Sequence, residues 1–471
     1  MSRLIVISNR VQSPGKSAPG SQGGLAVALA AALREYSGFW FGWSGERTDQ
    51  FTGHINFERE GGVTTATIDL EDQDIEEYYN GYANRTLWPL FHDRVDLAEY
   101  ERGYAGGYQR VNERFAETVR PLIEPDDAIW VQDYHLFPLG SELRKRGCEN
   151  RIGLFLHIPW PPRRLLSSLP MAEELVRTLF AYDLIGFHTD EWRESFTEYV
   201  VQQLGAVLED DQRISLDGRT IQVITCPIGI DTKEFVAMSR STAARLSHRQ
   251  MRDSANGRDM IVGVDRLDYS KGLEERFLGY ERFLVEHPEQ RKEVFLLQIA
   301  PPSRESVATY QDIRTALEGL SGRINGEYAD VDWVPIRYVN QGYPRDVLAG
   351  IYRASKIGLV TPLRDGMNLV AKEYVAAQDP EDPGVLILSR FAGAAVQLKD
   401  AVLINPYSAE EMSDAIVFAL AMDRAERVRR WRKLMDSVET EDVVWWRQRF
   451  VDALMVDDSV ADDPRLVDDP V

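Results

Sequence analysis

The sequence predicts an α/β protein with two doubly wound halves facing one central cleft. Three observations carry that prediction. Strand-like apolar runs alternate with helical stretches along most of the chain. The runs are nearly continuous in apolar residues, as expected of parallel strands covered on both faces. The alternation also falls into two series, separated by a polar helical stretch near Phe235. In open parallel sheets ligands bind beyond the carboxyl ends of the strands, so two facing halves share a cleft.

The first series opens with RLIVIS, a Gly/Pro/Ser-rich loop and the helical LAVALAAALREY. AIWVQ leads into DYHLFPLGSELRKRG, and IGLFLHIP, DLIGFH and TIQVIT follow as strands. After PIGID the chain turns helical. The second series runs through MIVGV, VFLLQIA, IRYVN, KIGLV, VLILS and AVLIN, separated by helices such as LEERFLGYERFLVEH. A long helical region at 408–450 is expected to cross back to the first half. The domains are set at 1–234 and 235–455, the second including the returning helix. The acidic, Pro-containing segment 456–471 is expected to be a disordered tail. No short internal repeat occurs.

The totals narrow the function. The chain has 471 residues, enough for two or three domains with their own cores. Its net charge of −21 argues against nonspecific binding to nucleic acid or anionic membrane. An anionic ligand must therefore meet a local basic cluster, which makes Arg and Lys in loops informative. Cys148 and Cys226 fit no metal or disulfide spacing, so a reducing cytoplasm is expected. The opening MSRLIVISNR lacks the apolar region of a signal peptide, and no run of about 18 apolar residues occurs.

Five strand ends carry candidate chemistry. Asn9-Arg10 closes the first strand, and Gly23-Gly24 opens the next helix, where free N–H groups suit an anion. A lone Gly pair is also an ordinary turn. GVDRLDYSKG places Arg266 and Lys271 between a strand and a helix, where a fork and a point charge can converge on a diphosphate. QIAPPSRES puts Arg304 directly after a strand. VQDYHL and LFLHIPWPP bring Asp133 and His157 to successive strand ends, able to order sugar hydroxyls or move a proton. A strand-end His is equally an ordinary hydrogen-bonding group.

The fifth is LRDGMNLVAKEYVAAQD at 363–379, after the apolar KIGLV. Asp365 can accept from sugar hydroxyls, the amides from Gly366 to Leu369 can face a phosphate, and Glu373 can take both hydroxyls of a ribose. Capping by Asp365 or Asn368 explains the acids. It does not explain the Gly, Met and Asn between them. Tyr78, Tyr79 and Trp88 add aromatics to the first half, as core or as a face for a sugar ring. EDQD at 71–74 and DVD at 330–332 contain the D-x-D pattern of some metal-dependent transferases, but such triplets arise easily in so acidic a chain. No cluster has convincing metal spacing.

Taken together, SNR, GGLA, LWP, QDYHL, LHIPWP, RLDYSKG, APPSR and LRDGMNLVAKEYVAAQD resemble the trehalose-6-phosphate synthases, in order, from Arg3 to about Phe450. The resemblance implies the GT-B fold, with a retaining transfer of glucose from UDP-glucose, or another nucleotide-glucose, to glucose 6-phosphate. It implies a donor site of Gly23, Gly24, Arg266, Lys271, Tyr343 and the run Asp365, Gly366, Met367, Asn368, Leu369, Val370, Ala371, Lys372 and Glu373. Tyr343 would lie beside the donor base, although its QGYPRD surroundings are less typical of the family. Arg10, Tyr79, Trp88, Asp133 and Arg304 would hold the acceptor, with Arg10 and Arg304 on its phosphate. His157, Arg266, Lys271 and Asp365 would surround the reacting centre. No cofactor, metal, nucleic acid or membrane is implied, and a cytoplasmic homo-oligomer, dimer or tetramer, is expected. Two other readings keep parts of this pattern. One is a glucosylglycerol-phosphate synthase-like transferase with another phosphorylated acceptor. The other is a non-catalytic sugar-phosphate sensor, which loss of Arg266, Lys271 or Glu373 would have favoured.

Overall fold

The structure, a computed structural model, describes residues 3–11, 24–303 and 307–456. Gly23, Arg304 and the tail from 457 lie outside the described residues.

The first sheet is built from β1 (Leu4–Arg10), β2 (Gly38–Thr48), β3 (Asn56–Glu60), β4 (Val63–Glu71), β5 (Ala128–Gln132), β6 (Ile152–Phe155), β7 (Leu184–Phe187), β8 (Val207–Leu208), β9 (Arg213–Leu216) and β10 (Arg219–Thr225). Its order is β3-β4-β2-β1-β5-β6-β7-β10-β9-β8. The strands from β4 to β10 in that order are parallel, while β3, β9 and β8 extend the edges antiparallel. The second sheet comprises β11 (Asp259–Val264), β12 (Val294–Ile299), β13 (Ile336–Val339), β14 (Ile357–Val360), β15 (Val385–Ser389) and β16 (Val402–Ile404). It is wholly parallel, in the order β13-β12-β11-β14-β15-β16.

Burial explains the continuous apolar runs. Leu4 to Ile7 are all fully buried, with Ile5 and Ile7 in one core layer and Leu4 and Val6 in the other. Alternate side chains of a strand point to opposite faces, so a strand covered twice needs apolar residues at every position.

Both sheets reverse direction beside their first strand. The switch points lie between β1 and β5 and between β11 and β14. Chain leaving neighbouring strands there parts to opposite sides, which opens a crevice. Arg10 ends β1 and Asp133 follows β5; Arg266 and Lys271 follow β11, and Asp365 follows β14.

The expected long helix at 408–450 is three helices, Ala409–Ala421, Arg424–Thr440 and Val443–Met455. Asp423 and Asp442 cap the second and third, their side chains accepting from Glu426 N and from Val444 N and Trp445 N. The third returns to the first sheet, where Phe450 stacks on Trp130 at 4.9 Å and Arg151 donates to the Leu454 carbonyl at 2.8 Å. The chain crossing between the sheets is clamped as well. Val443 N donates to Ile230 O at 3.0 Å, and Thr232 donates to Val438 O at 2.9 Å. Cys148 and Cys226 are buried free thiols. Among the described residues no helix is long and apolar enough to cross a membrane.

Candidate active site

One wall follows β11. Asp268 is fully buried and accepts from Ser270 N at 3.0 Å and Ser270 Oγ at 2.9 Å, which fixes the turn between Arg266 and Lys271. Gly272 has φ +61°, and a Cβ there would lie 2.2 Å from Thr361 O, so only glycine lets this loop cross β14. Beneath it Arg276 is fully buried. It donates to Thr361 at 3.0 Å, Gln298 at 2.8 Å and Asp265 at 2.7 Å. Burial pushes the Asp265 pKa up against the pull of Arg276 and Lys271. The Arg266 side chain is 45% exposed, its guanidinium 3.7 Å from the Asp268 carboxylate.

The loop after β14 meets that turn. Lys271 Nζ lies 2.5 Å from Asp365 Oδ2, and Asn368 Nδ2 donates to the same oxygen at 3.1 Å. Asn368, at φ +73°, is the cap of helix Leu369–Ala377 and accepts from Ala371 N at 3.3 Å. Asn tolerates this left-handed geometry and caps well, which explains its place in the run. Met367 is buried beneath, its carbonyl accepting from Ala394 N at 2.8 Å. The first-turn amides of Leu369 and Val370, beyond the reach of intrahelical acceptors, carry the helix's partial positive charge.

Glu373 sits further along the same helix. Burial pushes its pKa up to about 7, although Arg345 lies 3.6 Å away and works against this. Lys372 faces elsewhere. It is 1% exposed and donates to Ile228 O at 2.7 Å across the domain junction, with its pKa lowered to about 7 by burial. The donor contact expected of Lys372 is thus corrected for its side chain, whose ammonium is committed to the linker. Tyr343 is half-buried, just before helix Arg345–Ala354.

The opposite wall comes from the first sheet. Asn9 accepts from Tyr78 at 2.9 Å, and the Arg10 guanidinium lies 5.5 Å from the Trp43 ring centre. Tyr79 packs edge-on to Trp43 and stacks on His135. Both tyrosines lie on Ile75–Leu87, which is wound as a π-helix, a form concentrated at functional sites. Asp133 is held at φ +73° and accepts from His157 N at 3.1 Å. The His157 ring meets Gln132 Oε1 at 2.9 Å, and burial lowers its pKa to about 3. His157 is therefore neutral at physiological pH.

The walls meet directly. Arg266 lies over Trp88 at 5.2 Å. Gly366 passes so close to His157 that a Cβ would sit 1.8 Å from its carbonyl oxygen. Gly24 opens the helix Gly24–Tyr36 after β1.

Three arginines of this region were not singled out from sequence. Arg276 organises the floor. Arg345 faces Glu373. Arg364, beside Asp365, reaches across to Asp93 at 3.0 Å, Glu191 at 3.7 Å and Trp160 O at 3.2 Å. A charge flanked by a conspicuous motif was the available signal for Arg364. Arg276 offered none, because Arg is ordinary on an amphipathic helix.

The D-x-D acids are occupied by bases. Asp74 pairs with Arg110 and Arg114, and Asp72 pairs with Arg47. Asp330 pairs with Lys292, and Asp332 with Arg258. No metal-holding group of His, Cys, Asp or Glu occurs among the described residues.

Opposed switch points, cations on one wall and aromatic and hydrogen-bonding groups on the other suit transfer of a group between two polar substrates. The architecture is that of GT-B glycosyltransferases. The chain belongs to glycosyltransferase family 20, whose pattern spans residues 3–456. It is 48% identical over 457 residues to a trehalose-6-phosphate synthase of Sinorhizobium fredii, covering 96% of this chain and 98% of that one. It also resembles a UDP-forming α,α-trehalose-phosphate synthase of Burkholderia xenovorans solved in complex with glucose-6-phosphate. The TM-score is 0.92 at 46% identity, covering 97% of this chain and 100% of the other. A structure from E. coli bound with UDP-2-fluoro glucose matches with a TM-score of 0.92 at 44% identity, covering 96% and 99%.

Proposed function

We propose that this protein transfers glucose from UDP-glucose to the anomeric hydroxyl of glucose 6-phosphate with retention, forming α,α-trehalose 6-phosphate and UDP. The observation that carries this reading is the Lys271–Asp365 pair, placed where Gly366 meets His157 across the walls. Each member of the pair holds the other ready. A donor diphosphate takes Lys271 and Arg266, while Asp365 turns to the hydroxyls of the transferred glucose.

The diphosphate also meets the first-turn amides of Leu369 and Val370, and Gly23 and Gly24 are assigned to the donor by their motif alone. Glu373 accepts from the ribose, and Tyr343 lies beside the base. Arg10, Tyr79, Trp88 and Asp133 receive the acceptor, and Arg304, by its motif, joins Arg10 on the phosphate. The first domain, 1–234, thus holds the acceptor, and the second, 235–455, the donor. The buried free thiols suit a reducing cytoplasm.

In the reaction, the bond from the anomeric carbon to the diphosphate oxygen breaks. A bond to the acceptor's anomeric oxygen forms on the same face. The acceptor proton passes to the departing phosphate oxygen, whose growing charge Arg266 and Lys271 stabilise. Neutral His157, whose N–H is given to Gln132, can accept from a sugar hydroxyl without placing a second positive charge beside a cationic centre. No protein carboxylate need act as nucleophile, unlike in a double-displacement glycosidase.

The test is to incubate the protein with several nucleotide-glucoses against glucose 6-phosphate and glycerol phosphates, and to identify the products. Trehalose 6-phosphate made fastest from UDP-glucose is expected. Transfer to glycerol phosphate alone would overturn the acceptor assignment. The cationic clamp already serves the leaving oxygens that a Lewis acid would serve. The rate should therefore persist in excess chelator, and loss restored only by a divalent ion would contradict that role for the clamp.

A further inference from the structure

The strands of the second sheet carry the candidate site at their carboxyl ends. At their amino ends, roughly the 20 Å length of a six-residue strand away, lies a cavity of about 690 Å³. The start of β11, the residues before β14, helix Thr242–Ala255, the end of helix Arg345–Ala354, the segment after helix Leu369–Ala377 and Arg427 of helix Arg424–Thr440 line it. Nothing in the transfer reaction uses it.

Its charge is opposite to that of the molecule. Seven lining residues are Arg or Lys and three are Asp, in a chain of net charge −21. A concave cluster of one sign focuses its field and draws counter-charged ligands.

The acids do not neutralise it. Arg353 holds Asp379 at 2.8 Å, and Arg427 holds Asp382 at 2.7 Å. Arg240, Arg245, Arg252 and Lys356 have no ion pair among the described residues, yet all four line the cavity. Arg427 is 8% exposed and is committed to Asp382 and the Pro383 carbonyl, so it holds the lining in place. His248 registers the same field. Its pKa lies below the ordinary value through burial and then through Arg252 and Arg353.

The lining also limits the ligand. Guanidinium forks match phosphate oxygens two at a time, and several unpaired cations call for more than one phosphate. Among the described residues no Phe, Tyr or Trp lines the cavity, so a nucleobase has no ring to stack on.

We propose that this cavity binds a compact, non-aromatic molecule with two or more phosphates, carried on a sugar or in a short inorganic chain. The site is separate from the cleft, and its occupancy does not depend on the identity of the transferred sugar.

Calorimetry on the full chain tests this. UDP is present to fill the cleft, ionic strength is matched, and the probes are fructose 1,6-bisphosphate and inorganic tripolyphosphate. One site per chain is expected, with affinity at least 30-fold weaker in Arg245→Glu/Arg252→Glu and at least fivefold weaker in Lys356→Gln. Turnover without probe should be unchanged in both variants. Tighter binding of the bisphosphate would assign a sugar phosphate, and tighter binding of tripolyphosphate an inorganic chain. The His248 ring protons, followed by NMR, should titrate at higher pH when the probe is bound. Failure of both probes to bind at millimolar concentration, or undiminished affinity in the mild Lys356→Gln variant, would overturn the proposal.

Discussion

Lys271 and Asp365 lie at 2.5 Å with side chains only 12% exposed, so neither charge is spared by solvent. Lys271→Ala removes a charge-assisted contact worth roughly 1.5–3 kcal/mol and leaves Asp365 with Asn368 alone. Turnover should fall by at least about tenfold while the melting temperature moves little. Wild-type kcat/KM in that variant would remove Lys271 from the reaction. Glu373 makes a prediction in pH. Its pKa is raised from 4.5 to about 7, chiefly by burial. Between these values the folded chain keeps a proton that the unfolded chain releases, so this group's contribution to stability falls as pH rises through that window. A ribose diol donates to the ionised form, so donor binding should strengthen from pH 6 to pH 8 and release protons near pH 7. Calorimetry in buffers of different ionisation enthalpy reads that release. Glu373→Gln should weaken donor binding and flatten the slope, and an unchanged slope would place the titration elsewhere. Residue type was legible here because strand-end cations and acids are few and stand against apolar runs. The direction in which a side chain points was not. Lys372 adjoins Glu373 in sequence, yet a helix separates neighbours by about 100°, which sends its ammonium to the linker.

The loop between β14 and helix Leu369–Ala377 owes its shape to one glycine. A Cβ on Gly366 would lie 1.8 Å from the His157 carbonyl, and that contact is backbone, which cannot rotate away. Gly366→Ala must therefore part the two walls, at a cost of order 1–3 kcal/mol by analogy with overpacking. Activity should fall at least about tenfold with the fold intact, because the cleft can open without unpacking either core. Gly322→Ala is the control. It lies in helix Ala308–Tyr328 with nothing within 4 Å, so alanine should be neutral or slightly stabilising. Equal activity in both variants would remove the steric argument. All six strands of the second sheet were legible, each being a short apolar run before a polar loop. In the first, β2, β3, β4, β8 and β9 were not: β3, β8 and β9 are short strands at the sheet's edges, and GFWFGWSGERT and VTTATIDLE of β2 and β4 mix Gly, Thr and charges into their runs. Their polar positions are tolerated by context, as Thr65 and Thr67 are buried beside β3 at the sheet edge. The breaks in the final helical region were also missed. Asp423 and Asp442 are short polar residues that read as helix surface until their side chains are seen capping the next turn.

At the scale of the molecule, the two halves are joined through the linker side by backbone and buried rings, and across the cleft by few side chains. Arg364 is the most heavily bonded of these. It leaves the second domain beside Asp365 and engages Asp93, Glu191 and the Trp160 carbonyl of the first. Asp93 is pushed towards its neutral form by burial, and Arg364 opposes that shift, so each supports the charge of the other. Because Arg364 adjoins Asp365, the bond that draws the walls together also sets the distance between donor and acceptor groups. Arg364→Ala removes a charge-assisted pair worth roughly 1.5–3 kcal/mol, leaving Asp93 without its cation, while the long, exposed contact to Glu191 adds at most about 1 kcal/mol. The loss falls on the closed arrangement and spares both cores. KM for donor and acceptor should therefore rise together, by about tenfold for each 1.4 kcal/mol lost from closure. The radius of gyration by small-angle scattering should increase without a matching fall in melting temperature. Arg364→Lys keeps a charge for Asp93 but loses the fork that reaches Trp160 and Glu191, so its effects should lie between wild type and alanine. A rise in one KM alone would make Arg364 a ligand of that substrate. Unchanged scattering and unchanged KM values would show that the linker and the returning helix Val443–Met455 hold the cleft closed by themselves.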